Sequence, residues 1–199
     1  MKKFILIFGL LLSCHQAIAD TLTFDDLSPI LNVDNVMQDG YAGLNWNGSN
    51  QAGFIDVNPF INPDIVYGYG FKDIIIFNGY GYLAPNTTQI SAANGGTFDF
   101  LSGYWSGGLA GDVSIMFQGF LNGQLISESS VFDLQRDVIS PITLNWFGID
   151  SVKINSTAAI WTADNLEVNI NPSAVPVPAA AWLFGSALLG FVGLRRKSV

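Results

Sequence analysis

Val113-Ser-Ile-Met-Phe-Gln-Gly-Phe-Leu121, followed by Asn122-Gly123, decides the fold. Val113, Ile115, Phe117 and Leu121 recur at period two, which places them on one face of an extended strand. Asn122-Gly123 is a pair that tolerates φ > 0 at both central positions of a type I′ turn. The expectation is a hairpin whose return strand covers residues 124–130. The same pattern repeats outward from it. Short apolar runs at residues 22–25, 71–78, 96–101, 142–147, 151–155 and 166–170 alternate with polar, Gly-rich connections. Asn47-Gly48, Asn78-Gly79 and Asn94-Gly95 mark further turns. Leu, Ala, Glu and Lys at helical spacing are scarce. The reading is an all-β domain, a jelly-roll-like β-sandwich of two sheets.

The two ends of the chain differ in kind from this domain. Met1-Lys-Lys3 is basic, residues 4–12 are apolar, and Ala17-Ile-Ala19 is a small-residue cleavage site. This is a secretory signal peptide over residues 1–19, leaving Asp20 as the mature N-terminus. Leu11-Leu-Ser-Cys14 also loosely resembles a lipobox, the competing reading of the same segment. The β domain spans residues 20–174. Beyond it come Val175-Pro176-Val177-Pro178, an uncharged stretch over residues 179–194, and Arg195-Arg196-Lys197. As a helix the stretch reaches roughly 24 Å, or about 30 Å counted from Val175, a thin bilayer span. Trp182 suits an interfacial anchor, and the three cations suit a cytoplasmic stop-transfer signal. The expectation is a C-terminal transmembrane helix.

The string from Pro176 to Lys197 resembles the PEP-CTERM sorting domain of exported proteins in Gram-negative bacteria that make exopolysaccharide. The family tripeptide is Pro-Glu-Pro. Val177 in its middle matches the Val-Pro-Leu-Pro-Ala-Ala variant more closely. The resemblance implies an exosortase, a membrane cysteine transpeptidase, as partner, with processing near the Pro motif. It also implies an inner-membrane intermediate, followed by delivery to the cell envelope surface or the extracellular space. Within the domain, residues 22–27, 40–46 and 163–168 look like segments of PEP-CTERM passenger domains. In similar jelly-roll carbohydrate-binding modules the terminal strands lie side by side and acidic residues there hold a structural calcium ion. Carried over, that implies Asp25, Asp26 and Asp164 as the metal ligands.

Composition excludes much chemistry. The only cysteine and histidine are Cys14 and His15, both in the signal peptide. The mature domain therefore has no disulfide, no Cys or His metal ligand, no thiol nucleophile and no Ser-His-Asp triad. Lys72, Arg136 and Lys153 are its three cations against sixteen carboxylates, a formal charge of −13. That argues against nucleic acid and anionic lipid surfaces. Fourteen of the acids are Asp, read either as turn formers or as oxygen ligands for calcium.

Phosphate-binding, zinc-protease and hydrolase motifs are absent. Glu128 and Glu167, the two glutamates, read as surface positions on strands and not as a catalytic pair. Among the tryptophans, Trp146 sits in an apolar run and reads as core. Trp46 and Trp105 lie among Gly, Asn and Ser, where loops are expected, and are the candidate glycan contacts.

The expected function is that of a non-enzymatic exported surface or extracellular-matrix protein, sorted by an exosortase. Its role would be structural, adhesive or exopolysaccharide-binding. Two alternatives stand beside it. One is a secreted glycan hydrolase using two carboxylates. The other is an unprocessed, membrane-anchored binding module stabilised by calcium.

Overall fold

The computed structural model describes residues 19–30, 35–46, 52–57, 71, 73–78, 86–108, 111–157 and 160–171. The signal-peptide segment with Ala17, the Val175–Pro178 motif, the apolar stretch 179–194 and Arg195–Lys197 all lie outside them. Among the described residues no helix is long and apolar enough to cross a membrane.

Thirteen strands are described. They are β1 (Asp20–Leu22), β2 (Asn35–Val36), β3 (Leu44–Asn45), β4 (Ala52–Asp56), β5 (Ile74–Asn78), β6 (Asn86–Ala92) and β7 (Thr97–Gly107). They continue with β8 (Val113–Leu121), β9 (Gln124–Glu128), β10 (Phe132–Leu134), β11 (Ser140–Ile149), β12 (Ser151–Ser156) and β13 (Trp161–Asn171). They form two antiparallel sheets. Sheet A has the order β11-β7-β13-β5-β4-β2, with β1 also on β13. Sheet B has the order β10-β8-β12-β6-β3, with β9 also on β8.

The hairpin read from the sequence is present. Asn122 and Gly123 have φ of 52° and 75°, and Leu121 faces Gln124 across the turn. Val113, Ile115 and Phe117 are buried, and Ser114, Met116 and Gln118 between them are only half-buried. The terminal strands lie side by side: Asp20, Thr21 and Leu22 pair with Val168, Glu167 and Leu166.

The core between the sheets is aromatic. Trp105 of β7 stacks edge-on against Phe117 of β8 at 4.9 Å and lies 5.1 Å from Trp161 of β13. Phe100 meets Phe117 at 6.1 Å. Burial of these large rings and of Ile90, Ile154 and Val168 supplies stability without disulfides. At the edge of the sandwich, the half-buried Trp146 of β11 covers Gly119 of β8, where a Cβ would fall 2.9 Å from its ring.

Candidate functional site

A line of bulges crosses sheet A. Asp164 pairs with Tyr104 and Glu167 with Ser102, so Asn165 and Leu166 together oppose Gly103. Glu167 and Val168 then pair with Ser102 and Phe100, which leaves Leu101 as the extra residue in β7. On the other side, Thr143 pairs with Ser102 and Trp146 with Phe100. Asn145 and Asn165 take up the distortion with φ of 52° and 50°. Such bulges twist a strand and re-aim its side chains. In β7 the core-facing positions shift from Phe98 and Phe100 to Gly103 and Trp105. Ser102 and Tyr104 are thereby turned outward.

Two transverse rows result on the outer face of sheet A. One runs Pro141–Tyr104–Asp164 and the other Thr143–Ser102–Glu167. The Tyr104 ring is 47% exposed. Beside it the Ser102 hydroxyl donates to Glu167 Oε2 at 2.6 Å. Farther along edge strand β11, Phe147 is 67% exposed and is turned away from the core-facing Trp146 by the strand pleat. The face thus carries exposed aromatic rings around carboxylate and hydroxyl groups.

Asp164 has the most perturbed environment in this region. The edge of β13 that faces away from β7 is shared by two strands. Thr162 and Ala163 pair with β5, and Leu166 to Val168 with β1. The break between them falls at Asp164–Asn165. Asp73 immediately precedes β5, and Asp25 follows β1, so both carboxylates come near Asp164. The Asp164 carboxylate accepts the Asn165 N–H at 2.6 Å and Asn165 Nδ2–H at 2.9 Å. Burial pushes its pKa up to about 7, with the charges of Asp25 and Asp73 adding to the rise and the Asn165 hydrogen bond opposing it.

Asp26 takes a different direction. It accepts the Tyr41 hydroxyl at 2.6 Å. Burial, followed by the hydrogen bond to Asp26 and then the charges of Asp26 and Asp25, raises that phenol well above its usual range. Of the three acids expected to share a site, Asp25 and Asp164 interact and Asp26 is turned to Tyr41. Asp73 is the other acid whose charge reaches Asp164. Among the described residues no three acidic side chains form a group able to hold a metal ion.

Trp46 and Trp105 are corrected by the structure. Both are fully buried, and neither indole can present a face to a glycan. Trp46 packs edge-on against Phe24 and donates its Nε1–H to the Tyr41 carbonyl at 3.0 Å. Trp105 lies in β7, and its small neighbours mark close packing, not a loop. A Cβ on Gly103 would meet Leu166 at 2.5 Å. Trp146, read as core, is the more accessible ring. Glu128 and Glu167 are both exposed but lie in different sheets, on β9 and β13.

Sequence reasoning missed Tyr104 and Asp73. The alternation that aims Tyr104 outward is broken by the bulge at Leu101, so no single period runs through β7. Asp73 could have been found as the acid just ahead of the Ile74-Ile-Ile-Phe77 run.

No family model and no curated protein matches the chain. Among solved structures, the tandem CBM22 domains of Paenibacillus barcinonensis Xyn10C align over 80% of this chain and 47% of their own, at 12% identity and TM-score 0.41. This chain spans about half the length of that protein. The CBM22-1–GH10 modules of Clostridium thermocellum xylanase 10B, complexed with xylohexaose, align over 71% and 29% at 9% identity and TM-score 0.38. TmCBM61 in complex with β-1,4-galactotriose aligns over 69% and 99% at 9% identity and TM-score 0.33.

Proposed function

We propose that the domain is a non-catalytic polysaccharide-binding module of jelly-roll type, and that the outer face of sheet A receives the sugar chain. One observation carries this reading. A half-exposed tyrosine stands mid-sheet beside a row that carries the Thr143 and Ser102 hydroxyls and the exposed Glu167 carboxylate, in a strand held on both edges. An aromatic face packs against the C–H face of a sugar ring, while carboxylate and hydroxyl oxygens accept from and donate to its hydroxyls. The module would belong to an exported protein presented to an exosortase by its C-terminal signal, then placed at the cell surface or in the exopolysaccharide matrix. The tail sequence supports that part of the reading.

The test is affinity electrophoresis of the mature domain through gels containing neutral polysaccharides such as xylan and β-1,4-galactan. Retardation that disappears in Tyr104→Ala is the expected result. A wild-type domain that every such gel leaves unretarded removes the proposal. For the tail, the intact mass of the protein from its native host decides. A species ending near residues 176–178 supports sorting, and one running to Val199 found only in membranes rejects it.

Calcium is a second reading, favoured by the buried Asp164 with Asp25 and Asp73 close by. A hard cation would relieve that crowding. Asp164 would act with Asp25 or Asp73, and Asp26 would stay with Tyr41.

A further inference from the structure

A concave site of about 340 Å³ opens where β8, β10 and the end of β12 meet, in sheet B. It is lined by Asp112, Ser114, Asp133, Gln135 and Thr157. Behind it Val113 and Leu134, each 2% exposed, belong to the core. The volume of the site lies at the lower end of the range for small-molecule sites, roughly 300–1,000 Å³.

The hydrogen bonds within it define what it lacks. Asp112 Oδ1 accepts the Arg136 N–H at 2.8 Å, and Asp133 Oδ1 accepts the Ser114 hydroxyl at 2.6 Å. Thr157 Oγ1 accepts the Ser114 N–H at 3.1 Å and donates to the Ser114 carbonyl at 3.4 Å. The hydroxyl protons are therefore committed inside the protein. Each carboxylate keeps its second oxygen, so the site offers acceptors. Its complement is a ligand with several O–H donors. A metal ion fits less well, because the space far exceeds one ion and no three acidic side chains are grouped there. An acidic ligand is opposed by both carboxylates and by the net charge of the domain. The Arg136 guanidinium, the nearest cation in sequence, pairs through Nε with Asp137 at 3.3 Å.

We infer that this cavity is a second carbohydrate subsite, seating one non-acidic sugar ring at a chain end through adjacent hydroxyls on Asp112 and Asp133. The inference rests on the reading of the domain as carbohydrate-binding but uses different residues. β7 ties the two places together. Tyr104 lies two residues before Ser106, whose hydroxyl is 3.5 Å from the Gln135 carbonyl. The next residue, Gly107, donates its N–H to that carbonyl at 3.1 Å.

The experiment is an array of neutral, amino and uronate saccharides, from single sugars to long chains, probed with three proteins. These are the wild type, the double variant Asp112→Asn/Asp133→Asn, and Tyr104→Ala. Asn keeps the acceptor oxygen that each carboxylate offers the protein, so the fold is preserved. The wild type is expected to bind non-acidic single sugars or disaccharides. The double variant should weaken that binding about tenfold, the usual effect of losing charge-assisted hydrogen bonds. Tyr104→Ala should leave it intact and lose long chains. The subsite is rejected if the double variant matches the wild type on every short saccharide. It is also rejected if the wild type binds no short saccharide, or only uronates. If Tyr104→Ala matches the wild type on long chains, the sheet A face falls while the cavity stands. Should the double variant melt early, Gln135→Ala replaces it and must weaken the same short saccharides.

Discussion

Asp164 and Tyr104 are direct cross-strand partners, yet the carboxylate is 4% exposed and the phenol ring beside it is 47% exposed. An acid buried there prefers its proton. Its folded pKa of about 7 lies above the ordinary 3.8, so its contribution to stability is fully present below about pH 4 and is lost as pH rises through 7. In cation-free buffer the melting temperature should fall between pH 4 and pH 8. A shift of this size corresponds to at most a few kcal/mol, or several degrees for a domain of this length. Asp164→Asn should flatten the profile. A wild-type melting temperature that does not move over that range contradicts the prediction.

Calcium should act on the same residue. If it binds, millimolar calcium at pH 7 should raise the melting temperature, by up to about 3 kcal/mol of stability at a hundredfold excess over Kd. Asp25→Asn and Asp164→Asn should abolish the rise, and Asp26→Asn should keep it. Calorimetry of the four proteins with and without calcium makes the comparison, and an unchanged wild type removes the metal.

The core tryptophans should respond unequally to substitution. Trp105→Ala opens a cavity between Phe117 and Trp161 and should cost about 3–5 kcal/mol. Trp161→Phe removes an indole N–H that is buried without a hydrogen-bond partner among the described residues. Removing an unsatisfied donor offsets part of the lost packing, so the cost should stay below about 2 kcal/mol. Urea unfolding followed by far-UV circular dichroism separates the two. A Trp161→Phe loss as large as that of Trp105→Ala would contradict the prediction.

Gly107 allows no side chain. A Cβ there would lie 2.8 Å from the Gly111 carbonyl oxygen and 3.0 Å from the Arg136 nitrogen, both backbone atoms. Gly107→Ala should therefore destabilise by about 1–3 kcal/mol and loosen the Gln135–Arg136 segment. Hydrogen exchange at Gly107 and Asp137, whose amides bond across this contact, should accelerate. Unchanged protection at both would contradict the packing account.

The sequence made the β8–β9 hairpin legible because burial alternates along β8 from Val113 to Gly119 and Asn122-Gly123 permits one turn. β6 was hidden. Its Asn-Thr-Thr-Gln-Ile-Ser-Ala run turns Thr88 and Ile90 inward, and a buried threonine hides the apolar period. β4 was hidden for another reason: both of its faces are largely covered, and Gly53 lies under the Phe77 ring. Asp25 and Asp164 were named together only through the resemblance to jelly-roll modules with paired terminal strands, and β1 and β13 do pair here. Tyr104 was not, because its direction depends on a register shift at Leu101 that local composition does not encode. Trp46 and Trp105 misled through their glycine-rich neighbourhoods, where the small residues make room for packing.

β13 is last in sequence among the described strands, yet it sits mid-sheet, bonded to β7 along one edge and to β5 and β1 along the other. This sets a clock on folding. Earlier strands emerge with the middle of their sheet missing, and the sandwich cannot close before residues 161–171 arrive. Contacts this distant in sequence form slowly. A chain emerging N-terminus first therefore keeps its early strands without a central partner until that last segment is out.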